Sequence, residues 1–248
     1  MNKNKIKSNF STVIKTTQQT ILIFDSGIGG LSIYYEVKRL LPNLHYIYVF
    51  DNDAFPYGEK SAEFIIKRII QIIDQIQKKQ TLAIAIIACN TASTVSLPIL
   101  RAYFKFPIIG VVPAIKPAIK LTRNGVIGLL ATKATINGNY TKSLINRFAV
   151  NCKVKMIASS ELAELAEKKF HGQIILKEVL VPIVKQWLKI KEPPDTIVLG
   201  CTHFLFLLRE LKEIFFTDTI FIDSGTAIAR RAVFLINNHQ NSILKKNK

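Results

Sequence analysis

Two cysteines in this chain have neighbours that suggest chemistry. "ACNTAS" (88–93) and "GCTHF" (200–204) each end an apolar run in a thiol, Cys89 and Cys201, followed at once by small polar residues: Asn90 and Thr91 after the first, Thr202 after the second. A lone cysteine at a strand end is usually an inert small hydrophobe. A matched pair with polar company suits proton transfer at a carbon held between two thiols. Inverting such a carbon needs a base on one face and a proton donor on the other, and a cysteine with an ordinary pKa of about 8.5 serves as either near neutrality. Cys152, between Asn151 and Lys153 at a strand edge, has no such neighbours and reads as structural.

His203 raises a second option, a Cys201/His203 nucleophile. Hydrolysis would also need an orienting group and an oxyanion site, neither of which the sequence identifies, and it would leave the second thiol without work. His203 also fits a capping or packing role. "DSGIGG" (25–30) is a glycine-rich strand-to-helix turn whose amides suit a carboxylate or phosphate. It is neither G-x-G-x-x-G nor a Walker A loop, which disfavours a nucleotide site. Asp25 either caps the following helix or assists one thiol while His203 assists the other.

Such residues need strands to carry them. "TILIF" (20–24), "LHYIYVF" (44–50), "TLAIAIIA" (81–88) and "FPIIGVV" (106–112) read as strands, and so do "GVIGLLAT" (125–132), "KVKMIA" (153–158), "TIVLG" (196–200) and "TIFID" (219–223). Nearly continuous apolar character marks parallel strands covered on both faces. Ile65, Ile66, Ile69, Ile73 and Ile76 form one helix face; Leu176, Leu180, Ile183 and Trp187 form another, and Leu205, Leu208, Leu211 and Phe215 a third. The alternation predicts an α/β fold of two similar units rather than one sheet of eight strands. Ligands in such units collect outside the carboxyl ends of the strands, which is where both thiols fall.

The chain has 248 residues, with 49% hydrophobic and 21% charged, which excludes disorder or a disulfide scaffold as a description of the whole. Three cysteines without C-x-x-C spacing suit a reducing cytoplasm. The net charge of +17 is scattered, with Lys3, Lys5, Lys7, Lys15, Lys245, Lys246 and Lys248 reading as solvated tails. It attracts small anions, and neither a specific nucleic-acid partner nor a membrane partner is expected. No apolar run is long enough to span a bilayer, and residues 1–19 are expected to form a flexible N-terminal extension.

In order along the chain, "IFDSGIGGLSI" (23–33), "DNDAFPYGEKS" (51–61), "IIACNTAST" (86–94), "IIGVVPAI" (108–115), "ATKATI" (131–136) and "IVLGCTHF" (197–204) resemble the motifs of the glutamate racemases, within the aspartate/glutamate racemase family. The resemblance implies a racemase with no cofactor and no metal, built of two pseudosymmetric α/β domains with the active site in the cleft between them. The first domain is expected over 20–113 plus 223–248 and the second over 114–222. The resemblance makes Cys89 and Cys201 the catalytic thiols, Cys89 handling the hydrogen of D-glutamate and Cys201 that of L-glutamate, with Asp25 and His203 assisting. It assigns substrate contacts to Asp25, Ser26, Pro56, Tyr57, Gly58, Asn90, Thr91 and Thr202. "AELAE" (163–167) matches a segment whose glutamate approaches the site, which adds Glu167. A homodimer is expected on the same ground, as is a cytoplasmic role supplying D-glutamate for peptidoglycan. An aspartate-specific relative would use the same thiols, but "DSGIGG" and "PYG" point to glutamate. The sequence departs from the pattern at Ala131 and Ala134, where glycines are common, and at Phe204, after which the usual proline is missing.

Overall fold

The computed structural model describes the backbone of residues 19–246 and side chains as far as residue 238. All but the last residue of the expected N-terminal extension, and Lys248, lie outside the described residues. Strands β1 (Thr20–Asp25), β2 (His45–Phe50), β3 (Leu82–Ile87) and β4 (Ile108–Gly110) form a parallel sheet in the order β2-β1-β3-β4. A second parallel sheet repeats that order as β6-β5-β7-β8, from β5 (Val126–Ala131), β6 (Lys153–Ala158), β7 (Thr196–Leu199) and β8 (Ile220–Ile222). The two-unit architecture expected from the sequence is therefore observed.

Side-chain alternation explains why both faces are dry. Leu22 and Phe24 of β1 pack with Ile65, Ile69 and Ile73 of α2 (Ala62–Gln77) and with Leu97 and Leu100 of α3 (Asn90–Tyr103). Ile21 and Ile23 point the other way, against Ile33 and Val37 of α1 (Leu31–Leu40). That second face also takes Ile228, Ala229, Ala232 and Ile236 of α10 (Gly225–Lys246), so the C-terminal helix returns to the first sheet. Each fully buried isoleucine contributes about 1.5–3 kcal/mol of transfer free energy. The second sheet is covered on one face by α4 (Ile115–Leu121) and α6 (Asn139–Phe148). On its other face lie α7 (Glu161–Phe170), α8 (Lys177–Leu188) and α9 (Leu208–Ile214), and the short α5 (Lys133–Asn137) follows β5.

Three expectations need correction. The strand expected over 106–112 pairs only at Ile108–Gly110: Pro107 has no N–H to give, and the Val111 N–H goes partly to the Ser93 hydroxyl. Leu176 is 60% exposed because it precedes α8, so the helical period does not reach it; the buried face is Leu180, Val184 and Trp187. Lys245 and Lys246 continue the backbone of α10 rather than forming a tail. Among the described residues, no helix is long and apolar enough to cross a membrane.

Candidate active site

Both thiols stand just past the carboxyl end of the third strand of their own sheet, β3 for Cys89 and β7 for Cys201, and both are buried. Cys89 is the N-cap of α3, its Sγ accepting from the Ala92 N–H at 3.5 Å, and the Ser26 hydroxyl lies 3.7 Å from the same sulfur. Burial pushes the Cys89 thiol well up from its ordinary value, and the charge of Asp25 pushes the same way. A charge on Cys201 acts in the same direction.

Asp25 ends β1 and is fully buried. Its Oδ1 accepts from the N–H groups of Ser26 (2.6 Å) and Gly27 (3.3 Å), as a capping residue would. Its Oδ2 also accepts from the Thr202 hydroxyl of the other unit at 3.0 Å, which a cap has no need to do. Burial raises its carboxyl above the ordinary carboxylate value, with His203 and the hydrogen bonds pulling the other way.

On the Cys201 side, His203 Nδ1 lies 3.9 Å from Sγ and His203 Nε2 lies 2.7 Å from Glu167 Oε1. The Gly29 N–H also approaches Nε2, at 3.3 Å, but the shorter contact with a carboxylate assigns the Nε2 hydrogen to Glu167. The same Oε1 accepts from the Ile28 N–H at 2.9 Å, so one carboxylate oxygen joins the glycine turn of the first unit to the histidine of the second. Burial draws the His203 imidazolium down. The bonds to Cys201 and Glu167, reinforced by the charge of Asp25, outweigh that effect and lift it to about 10. Burial likewise works against the Glu167 carboxylate, yet His203 and Ile28 hold it below the ordinary range. The glycines permit this approach: a Cβ on Gly27 would stand 2.2 Å from Glu167 Oε1, and one on Gly29 would stand 2.3 Å from His203 Nδ1.

A second junction lies near Cys89. The hydroxyls of Thr91, Thr132 and Thr135 close a buried ring, with Thr91–Thr132 at 2.8 Å, Thr132–Thr135 at 3.0 Å and Thr91–Thr135 at 3.3 Å. Thr91 belongs to α3, whereas Thr132 caps α5 and Thr135 lies within it. Gly58 backs onto Thr132, where a Cβ would stand 3.1 Å away.

The structure thus gathers Asp25, Ser26, Cys89, Glu167, Cys201, Thr202 and His203. Asn90 lines a space of about 10 Å³ beside Cys201 and Thr202, room for no more than a water. Pro56 opens the 3-10 turn Tyr57–Glu59. The Tyr57 hydroxyl donates to Asp51 Oδ2 at 2.7 Å, and Asp51 is paired with Arg68. Thr132 and Thr135 were not singled out in sequence, although their spacing within "ATKATI" was the available signal. The Tyr48 hydroxyl, which donates to the Gly27 carbonyl at 2.8 Å and so steadies the glycine turn, left no local signal. Ala131 and Phe204 are fully buried at their departure positions, and Ala134 lines an open groove beside Gly58.

The family model for Asp/Glu/hydantoin racemases matches residues 21–232. A curated glutamate racemase of Photorhabdus laumondii is 58% identical over 98% of this chain and 85% of its own. The crystal structure of Escherichia coli glutamate racemase with L-glutamate and the activator UDP-MurNAc-Ala is 55% identical over 89% of this chain and 83% of its own, with a TM-score of 0.86. The glutamate racemase of Francisella tularensis, in complex with D-glutamate, is 29% identical over 90% of this chain and 83% of its own, with a TM-score of 0.74. With its six motifs in order, its twinned parallel sheets and these matches across nearly its whole length, the chain belongs to the aspartate/glutamate racemase family, among the glutamate racemases.

Proposed function

We propose that this protein interconverts L- and D-glutamate by proton transfer between Cys89 and Cys201, supplying D-glutamate for peptidoglycan in the cytoplasm. The observation that carries the reading is the placement of two buried thiols at equivalent strand ends of two like sheets. For D-glutamate, the Cys89 thiolate takes the α-hydrogen while the Cys201 S–H delivers its proton to the opposite face; for L-glutamate the roles exchange. One proton leaves the substrate and one arrives, so the charge of the site is unchanged over the step. The His203 imidazolium, held by Glu167, stabilises a thiolate at Cys201. Ser26 and the Ala92 N–H do so at Cys89. Asn90, Thr91, Thr202 and the turn at Pro56, Tyr57 and Gly58 supply hydroxyl, amide and backbone groups for the two carboxylates and the developing carbanionic charge.

The space of about 10 Å³ cannot hold an amino acid. The two domains, 20–113 plus 223–248 and 114–222, therefore part to admit substrate and close to exclude water. Circular dichroism of L-glutamate and of D-glutamate, in buffer free of metal and pyridoxal phosphate, should decay to zero from either sign. A folded, reduced protein that leaves both signals constant refutes the activity. Assembly as a homodimer belongs to the same reading, and sedimentation across concentrations decides it: a monomer at every concentration rejects it.

A further inference from the structure

An opening large enough for a small molecule lies apart from the space beside the thiols. It is a groove of about 440 Å³, lined by Gly58, Glu59 and Lys60 from the first unit and by Lys133, Asn137 and Ser160 from the second. That volume lies within the roughly 300–1,000 Å³ usual for ligand sites. Its floor adjoins the proposed active site: Gly58 rests on Thr132, whose hydroxyl is bonded to Thr91, two residues from Cys89. Glu59, Lys60 and Lys133 are exposed. The wall therefore offers two ammonium groups and one carboxylate, the charge complement of an amino acid that carries two carboxylates and one ammonium.

We propose that this groove is a capture site for amino dicarboxylates on the route to the thiols, with Lys60 and Lys133 holding the carboxylates and Glu59 the ammonium. The inference rests on the glutamate racemase reading and adds to it where substrate is first selected. When the domains part, the Gly58–Thr132 contact is the barrier between the groove and the hydroxyl ring. A neutral side-chain analogue such as glutamine would lose one of the two lysine contacts and be held less well. Because the contacts lie at the surface they are individually weak and sensitive to salt.

The test compares the wild type, the Lys60→Gln/Lys133→Gln double variant, and a Lys78→Gln/Lys79→Gln double variant that removes the same charge from exposed positions at the far end of α2. Amide NMR shifts of residues 59, 60 and 133 should titrate with L-glutamate at low ionic strength, more weakly with glutamine, and hardly at all at about 1 M salt, where the Debye length is about 3 Å. The Lys60/Lys133 variant should lose the titration. Its kcat/KM should fall about five- to twentyfold at low salt with kcat within about twofold. The fall must be equal for both enantiomers, because their free energies in water are equal. The far-end variant should lose less than about twofold. Absence of a salt-sensitive titration overturns the assignment, as does a Lys60/Lys133 variant whose kcat/KM matches that of the wild type or of the far-end variant. If the wild type does not racemise glutamate at all, the proposed function fails instead, and the titration then reports on the groove alone.

Discussion

Replacing Glu167 by glutamine keeps the shape of the junction and removes its charge. The amide oxygen of the new side chain still accepts from the Ile28 N–H and from His203 Nε2, where Glu167 Oε1 now accepts at 2.9 and 2.7 Å. What is lost is charge assistance. A hydrogen bond to a charged group is worth about 1.5–3 kcal/mol against about 0.5–1.5 kcal/mol for a neutral one, a difference of about 1–1.5 kcal/mol. At about 1.4 kcal/mol per pKa unit, the His203 imidazolium should drop by about one unit from about 10. Imidazole NMR titration measures that directly. A raised histidine stabilises the fold fully below its ordinary value of 6.5 and loses that contribution as pH rises through its folded value. The melting temperature of the wild type should therefore decline towards pH 10, and that of the Glu167→Gln variant should have completed the decline about one unit earlier. Because His203 serves Cys201, the variant should show an enlarged isotope effect with α-deuterated L-glutamate. With D-glutamate the enlarged effect should come from solvent deuterium, since Cys201 then delivers the proton. An unchanged His203 titration, or isotope effects enlarged equally in both directions, would refute the coupling of Glu167 to Cys201 through the imidazole.

Cys89→Ala and Cys201→Ala should each reduce racemisation at least about a thousandfold, because each removes the only proton carrier on one face. Cys152→Ser should leave kcat within about twofold, and a folded Cys201→Ala variant with near-normal turnover in both directions would end the two-face mechanism. Gly27→Ala places a methyl where Glu167 Oε1 and His203 Nε2 now lie, at 2.2 and 2.8 Å, and must force the turn and the carboxylate apart. Its kcat should fall about a hundredfold or more, the equivalent of about 3 kcal/mol for the strained or lost charge-assisted bonds, and the melting temperature should fall by about 6–12 °C. Wild-type kinetics in that variant would mean that the junction plays no part in turnover.

Much of this protein is legible along the chain because the responsible physics is local. A parallel strand buried on both faces must be apolar at nearly every position, and "LAIAII" of β3 can be little else. The end of such a strand is where backbone groups and polar side chains converge, so Cys89 and Cys201 could be singled out from their neighbours alone. The division into two like units followed from counting strands of one kind in two sets. The tertiary structure decided what depends on partners far apart in sequence. Glu167 meets both Ile28 and His203, 139 and 36 residues away, and only the packing of α7 between the two units makes one oxygen serve both. The hydroxyl ring draws on a helix in each unit, so Thr132 and Thr135 carried no meaning until Thr91 stood opposite them. The Tyr57 hydroxyl, for its part, goes to Asp51. A buried phenol takes the nearest strong acceptor, and which acceptor is nearest is a property of the folded chain rather than of its sequence neighbours.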